Sequence, residues 1–534
     1  MKYWKQILAG AALGIGLTGG AVLIWRGVRH EETSRALSAA QGQQLLEAVM
    51  RRIEHSWVDS LSLDEIYRRT ALGLVDELDD PNSEYLTPAR LKRLRESTTG
   101  TYSGVGMSLD SRDSWLVVTH VRVGTPAERA GIAIGDRLVE INGQSIRGWT
   151  LAEAITAIRG DVGTKFSLSI QRGSTSARIP LQIERQEIHV SAVTRATRIG
   201  EDIGYFLVST FNDSTARDVE HTVDSLVTAG AHGLIIDVRG NPGGLLSQGV
   251  EVADLFLDKG VKIASTKGRQ ATANADFLDK AAQRWPGRPI IVLVNGNTAS
   301  AAEIFAGALQ DNDRAVLVGR QTYGKGSAQT VLQLEDGGGL KLTSARWYTP
   351  LGRSLERAQV PTGADDDDPA DTVRATYRTG SGRMLTGGGG IRPDIVSGDS
   401  ALSPAERAWV KSVGAKVTEF RRALTSAAER VHRDGRIRDP LFMVDAPMRD
   451  LLFAAMRARG VEVQRPIFDD VRESIDRLLG QEIARIAFGI PGAQLRAVRT
   501  DAVVAQAAAL LQGVESADAL VKRVPKPTAT ASRI

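Results

Sequence analysis

The chain has no cysteine among its 534 residues, which excludes disulfides and thiolate chemistry and leaves the redox compartment open. Histidine is scarce: seven are scattered with no H-E-x-x-H or comparable ligand spacing, so no metal site is expected. Neither sign of charge dominates. Lysine and arginine number 67 against 63 acids, a net charge of +4, without the clustered basic excess of a nucleic-acid-binding protein, and no nucleic acid is expected as a partner. One long apolar run does occur, ILAGAALGIGLTGGAVLIW from Ile7 to Trp25, flanked by Lys2 and Lys5 before it and Arg26 and Arg29 after it. It is long enough to cross a hydrocarbon layer of ~30 Å. Because it ends in bulky LIW rather than a small-residue cleavage site, an uncleaved membrane anchor is favoured over a secretory signal that is removed.

At ~150 residues per domain, the length predicts three or four domains. After the run in residues 1–30, residues 38–98 read as helical. Leu45, Val49, Ile53 and Trp57 stand four apart, Ala71, Leu74, Val75 and Leu78 repeat the pattern, and LDDPNSEYL breaks it at Pro81. This is a helical packing or dimerisation element. Residues 99–187 change to short strands, WLVVTHV, RLVEIN and KFSLSIQR, separated by AERAGIAIGD and TLAEAITAIRG. Residues 188–399 alternate strands with helices, among them the buried-strand runs GLIIDVRG, PIIVLVNG and AVLVG. Residues 400–524 carry helical periodicity over 404–430, 446–460, 469–488 and 493–511, and 525–534 read as a disordered tail.

The stretch NGNTASAAEIFAGALQDNDRAVLVGRQTYGKGSAQT, Asn295 to Thr330, holds the candidate chemistry. It is no phosphate-binding loop: Gly326 replaces the Ser or Thr that must follow Lys325, and a strand rather than a helix follows. Ser300 instead sits where a buried strand ends and a helix begins, with the N–H of Ala301 free to meet an oxyanion. No histidine lies between His232 and His432 and no G-x-S-x-G surrounds the serine. The nearer base is Lys325, in YGKGS. A lysine serves as base only when neutral, which requires burial away from acids to bring its pKa down from about 10.4. The bland alternatives are a serine that caps a helix and a lysine in a glycine turn.

GTPAERAGIAIGDRLVEINGQSI, Gly124 to Ile146, resembles a PDZ domain, with YSGVGMSL at the position of its carboxylate-binding loop. Gly104, Val105, Gly106 and Met107 are then the candidate peptide-binding residues, since small residues there let backbone N–H groups converge on a C-terminal carboxylate. The alternative is a glycine-rich strand entry without a ligand. Residues 40–399 as a whole resemble the C-terminal processing peptidases, serine proteases with a Ser/Lys dyad and an inserted PDZ domain. The carrying motifs are LDDPNSEYL, the PDZ stretch, DVRGNPGG, NGNTASAAEIFAGALQD, GRQTYGKGSAQT, RWYTPLGRS and GGGGIRPDI.

The resemblance implies a multidomain α+β architecture: a helical N-terminal region, a PDZ domain, a crotonase-like α/β protease core and a helical C-terminal domain. It implies Ser300 as nucleophile, Lys325 as base, Gln329 as the residue orienting the lysine, and Ala301 with Gly243 as oxyanion donors. Protein substrates with free C-termini are the implied partners, no cofactor is required, and the body is expected outside the cytoplasm, in the periplasm. The helical termini are expected to join copies of the chain or to bind an adaptor. An acidic insert, 355–386 with Asp365 to Asp368, reads as a solvated loop. Two rivals are an inactive membrane-anchored PDZ scaffold and an acyl-CoA enzyme on the same core, and YGKGS speaks against the second.

Overall fold

The computed structural model describes residues 38–112, 115–173, 177–357, 375–398 and 402–525. The apolar run 7–25, the aspartates 365–368 and the tail 526–534 lie outside these residues. Among the described residues no helix is long and apolar enough to cross a membrane.

A first unit ends at Tyr85. Its helix Ala39–Ser56 starts at a capping box, in which the Gln41 N–H donates to Ser38 Oγ (3.3 Å) and the Ser38 N–H to Gln41 Oε1 (3.0 Å). Ser62 caps the next helix, Leu63–Asp76. The four-residue repeat Leu45, Val49, Ile53 and Trp57 is 55, 48, 38 and 57% exposed, so this stripe is not spent on an internal core. In LDDPNSEYL the Asp80 carboxylate closes the turn, accepting from the Asn82 N–H (3.1 Å) and Ser83 Oγ (2.6 Å).

The second unit begins at Leu86. In its first part the strands Met107–Arg112, Trp115–Val121, Arg137–Ile141, Lys165–Gln171 and Ile179–Glu184 form an antiparallel sheet in that order. KFSLSIQ shows why: Phe166, Leu168 and Ile170 alternate inward onto a core shared with Leu116, Val118, Leu138 and Ile183. Helix Leu151–Ile158 closes that core from one side, started by the reciprocal bonds of Thr150 and Glu153. The entry strand Thr101–Gly104 and the exit strand Gln186–His189 pair with each other, so this module leaves the chain where it enters.

The central sheet runs Val193–Ile199, Ile203–Val208, Gly233–Asp237, Ile290–Val294, Val316–Gly319 and Ile395–Val396, antiparallel in the first pair and parallel thereafter. GLIID and IIVLV are buried at every position, as parallel strands covered on both faces must be. Helices Thr215–Thr228, Leu246–Asp254 and Ala301–Asp311 cover one face through Val219, Val223, Val252 and Phe305. The other face is covered from the far end of the sequence: Val504, Ala507, Ala508 and Leu511 of helix Ala502–Leu511, with Leu520 and Val521, pack on Ile235, Ile291, Leu293 and Val318. Each such buried valine, leucine or isoleucine side chain contributes roughly 1.5–3 kcal/mol.

The remaining C-terminal helices have their own core, with Trp409, Phe420, Leu452, Phe468 and Leu479 at its centre. The periodic stretch 493–511 is not one helix. It breaks at Asp501, whose Oδ1 accepts the N–H of Val503 (2.9 Å) and Val504 (3.1 Å) and starts a new helix after Thr500. Nor are the ends of the acidic insert solvated loop. Leu355 is fully buried, Thr376–Arg378 and Met384–Thr386 form a hairpin, and Arg383 Nη1 reaches Asp394 Oδ2 at 3.0 Å.

Candidate active site

Strand Ile290–Val294 delivers a tight turn ending at Ser300, which holds φ +55° and ψ −119°, a backbone region sparsely populated by residues other than glycine. The surroundings enforce it. Thr298 Oγ1 donates to the Val238 carbonyl (2.9 Å), the Ala299 N–H donates to the Asn241 carbonyl (3.0 Å), and the whole of helix Ala301–Asp311 is buried behind the serine. Ala301 is the first helical residue, so its N–H has no intrahelical partner, and it meets no other acceptor among the described residues.

The DVRGNPGG turn lies directly against the serine. Gly243 has φ +97°, and a Cβ added there would stand 2.7 Å from Ser300 Cβ and 3.0 Å from the Ala301 nitrogen, so only glycine allows the approach. Its N–H, expected as an oxyanion donor, is engaged: it donates to Asn241 Oδ1 at 2.8 Å. Asn241 is fully buried and its Nδ2 donates to the Val208 carbonyl (2.9 Å), which fixes Oδ1 to point back across the turn. Here the glycine supplies space, and Ala301 supplies the unengaged N–H.

Lys325 is brought to this turn by a residue that the sequence reading did not single out. Glu303 is fully buried, and its carboxylate accepts four donors. Oε2 takes the N–H of Ser300 (2.8 Å) and of Lys325 (2.9 Å); Oε1 takes the N–H of Gly324 (2.8 Å) and Thr322 Oγ1 (2.5 Å). Burial pushes the Glu303 carboxyl above its ordinary range, while the four donors pull against it. Three of those donors are backbone N–H groups that require an acceptor, so the cage is built for the anion. The carboxylate meets the lysine through its main-chain N–H, and three further donors help hold the charge. One local signal was available: S-A-A-E is the S-x-x-E capping signature, and the Ser300 N–H to Glu303 bond is one of its two halves.

The glycines flanking Lys325 are there because other segments press on them. A Cβ on Gly324, at φ +88°, would lie 2.9 Å from the Leu355 carbonyl oxygen and from Gly390 N, and one on Gly326 would lie 2.9 Å from Glu356 N. The Lys325 carbonyl accepts from Trp347 Nε1 (2.9 Å), and Thr322 Oγ1 accepts from the Ile391 N–H (2.6 Å). The motifs RWYTPLGRS and GGGGIRPDI therefore converge on the lysine turn. Gln329 lies on the adjoining strand Ser327–Gln333, where its Nε2 donates to Ser327 Oγ (3.0 Å) and Thr343 Oγ1 (3.2 Å).

Gly104, Val105, Gly106 and Met107 line a groove of about 280 Å³ between the strand they lead into and helix Leu151–Ile158, floored by Leu109, Leu151 and Ile155. Gly106 holds φ +82°, and a Cβ there would fall 2.4 Å from Thr125 Cβ. The N–H groups of Val105 and Gly106 have no acceptor among the described residues, whereas their carbonyls accept from Ala127 and Arg122 (2.9 Å each). Unengaged donors in the lining of an apolar cleft suit an anionic chain end with an apolar side chain. Arg159 stands at its rim over the Tyr102 ring (5.2 Å), with Nη1 2.7 Å from Glu96 Oε2.

Two family models match stretches of the chain. Residues 202–367 match the model of peptidase family S41, and residues 117–172 match a PDZ domain. The carboxy-terminal-processing protease of Bartonella bacilliformis is 37% identical over 365 residues, covering 67% of this chain and 83% of that protein. The carboxy-terminal processing protease CtpA of Bacillus subtilis is 34% identical over 315 residues, covering 59% of this chain and 67% of its own. Among solved structures, the photosystem II D1 C-terminal processing protease aligns with 27% identity and a TM-score of 0.35, covering 69% of this chain and 95% of that one.

Proposed function

The chain belongs to the C-terminal processing peptidases of peptidase family S41 and is a serine-type peptidase; from that premise we propose that it hydrolyses proteins captured by their free C-termini, with Ser300 as nucleophile and Lys325 as base. The observation that carries the assignment is the shared carboxylate: Glu303 Oε2 accepts the main-chain N–H of both residues, at 2.8 and 2.9 Å.

In this reading neutral Lys325 takes the hydroxyl proton of Ser300 as its oxygen attacks the scissile carbonyl. The π electrons move onto the carbonyl oxygen, which the Ala301 N–H stabilises. Collapse expels the amine, protonated by Lys325, and leaves an ester on Ser300. Water, deprotonated by the same lysine, then attacks the ester, releasing the new C-terminus and restoring the hydroxyl. Gly243 joins as a second donor by exchanging Asn241 Oδ1 for the oxyanion, a charged and therefore stronger acceptor. Gln329 orients the lysine, and no cofactor takes part. The Val105 and Gly106 N–H groups hold the substrate carboxylate. The core is read as crotonase-like, with its helices and parallel sheet supporting that reading. An inactive scaffold would have no use for a strained Ser300 tied to Lys325.

We further propose that residues 7–25 anchor the chain in the cytoplasmic membrane with its body in the periplasm, the alternative being secretion after cleavage. N-terminal sequencing of membrane and soluble fractions decides between them. The exposed stripe of helix Ala39–Ser56 is the proposed contact between copies or with an adaptor.

The purified protein, as wild type, Ser300→Ala and Lys325→Ala, is incubated with a loosely folded protein ending in an apolar free carboxylate and with its C-terminally amidated twin. Intact mass spectrometry follows the products. Cleavage by wild type alone, faster on the free carboxylate, is the expected result. Equal cleavage by all three would refute the dyad.

A further inference from the structure

The oxyanion turn is held from outside the catalytic core, and the holder is Asp501. Arg239, the arginine of DVRGNPGG, is only 20% exposed in its side chain. Its Nη2 lies 2.7 Å from Asp237 Oδ2 and 2.9 Å from Asp501 Oδ2, and its Nη1 lies 3.3 Å from Asp501 Oδ1. Asp237, at the end of its strand, also accepts the Tyr205 hydroxyl at 2.8 Å. One guanidinium thus joins a carboxylate of the central sheet to a carboxylate that lies 262 residues beyond the arginine itself.

The two sides of this bridge are unequal. Asp237 is buried within the strand that begins the turn and accepts four bonds from Arg239 alone, so it would keep the arginine nearby without help. Asp501 fixes direction. It is tied by the Val503 and Val504 N–H groups to a helix that is itself seated on the sheet through Val504, Ala507 and Leu511. Further bonds fasten the same segment: His232 Nε2 meets the Glu515 carbonyl at 3.2 Å, and the Ala517 N–H donates to the Gly287 carbonyl at 3.0 Å. The carboxylate that aims Arg239 is therefore rigidly mounted.

On the other side, Arg239 is followed at once by groups laced to the nucleophile turn. The Gly240 N–H donates to Asn295 Oδ1 (3.0 Å), the Asn241 carbonyl accepts from Ala299, and Gly243 touches Ser300. A tilt of Arg239 passes along three residues to the floor of the oxyanion site.

We propose that Asp501 is a positioning residue for acylation, and that the C-terminal helix Ala502–Leu511 is in this way a working part of the peptidase site. This rests on the Ser300/Lys325 reading above. Asn is as good a helix cap as Asp, so Asp501→Asn keeps the helix start and removes the ionic partner of Arg239. Asp501→Glu keeps the charge.

The test compares these two full-length variants with wild type and Ser300→Ala on the free-carboxylate substrate, reading kcat, KM and thermal midpoint. Asp501→Asn is expected to lower kcat about tenfold with KM unchanged and the midpoint within about 2 °C, and Asp501→Glu to recover most of the loss. Wild-type kcat in Asp501→Asn overturns the proposal. So does a fall in kcat matched by a fall in midpoint, or one that Asp501→Glu shares in full, since each marks Asp501 as structural only. Cleavage surviving in Ser300→Ala sinks the dyad reading itself, and this inference with it.

Discussion

The peptide groove and the catalytic turn are both built from glycines at positive φ, and they use them in opposite ways. In the groove Gly106 bends the chain so that the N–H groups of Val105 and Gly106 are left without acceptors among the described residues. At the catalytic turn Gly243 is bent as strongly, yet its N–H is given to Asn241 and its use is the missing Cβ that lets the turn touch Ser300. The groove keeps both donors for a ligand, whereas at the catalytic turn the Gly243 N–H is engaged by Asn241 and the Ala301 N–H meets no acceptor among the described residues. Recognition can tolerate a loop whose polar groups are satisfied only on binding. Catalysis requires the reacting groups to be fixed before the substrate arrives.

The comparison is broken most severely at the dyad. Ser300→Ala and Lys325→Ala are each expected to lower kcat/KM by about 10⁴-fold or more, read by progress curves on a quenched peptide, while both variants still bind a free-carboxylate tail. Retained turnover in either would remove that residue from the chemistry. Next in size is Glu303→Gln. Its amide presents an NH₂ group to N–H donors in place of an oxygen, so kcat is expected to fall about a hundredfold and the thermal midpoint to drop as well. Activity within a few-fold of wild type would mean that the four-donor cage does not position the dyad.

Gly106→Ala sharpens the contrast from the groove side. A Cβ 2.4 Å from Thr125 Cβ must displace the loop, so tail affinity measured by calorimetry should weaken about tenfold and the preference for free over amidated substrate should vanish. An unchanged preference would place carboxylate recognition elsewhere.

The smallest effect concerns Asp279, a buried group outside both regions. Burial pushes its carboxyl up to about 6, with Asp254 and Asp258 adding to the shift and the Ala281 N–H opposing it, and Oδ2 has no partner among the described residues. A carboxyl that binds its proton more tightly when folded contributes stability below the unfolded value near 4 and loses it as pH rises through about 6. Thermal midpoints taken between pH 4 and 7 should fall with rising pH more steeply in wild type than in Asp279→Asn, and parallel profiles would show the group to be ordinary.

Much of the catalytic core was legible because it is local. Apolar runs between turn signals located the strands Gly233–Asp237 and Ile290–Val294, and a serine placed after such a strand and before a helix could be picked out without a partner in view. Gln329 is reached from the sequence through its motif, and of its bonds the one to Ser327 follows the two-residue period of a strand while the one to Thr343 depends on the cross-strand pairing. The single helix expected over 493–511 shows a general limit. Hydrophobic period continued across Thr500, and the break depended on Asp501 capping a helix aimed at a sheet formed hundreds of residues earlier.

By itself the sequence determined the strand and helix types, the glycine turns and the PDZ-like module, because each is written in short-range period, turn chemistry or a contiguous motif, and it pointed to Ser300 and Lys325 through the family resemblance that those motifs carry. Only the tertiary structure decided that Glu303 would bind both Ser300 and Lys325, that Asn241 would take the N–H of Gly243, and that a C-terminal helix would cover the second face of the sheet and grip Arg239. The reason is physical. Local pattern fixes what a backbone segment becomes, whereas a buried polar group finds its acceptor among whatever the fold carries to it, and that partner can lie anywhere along the chain.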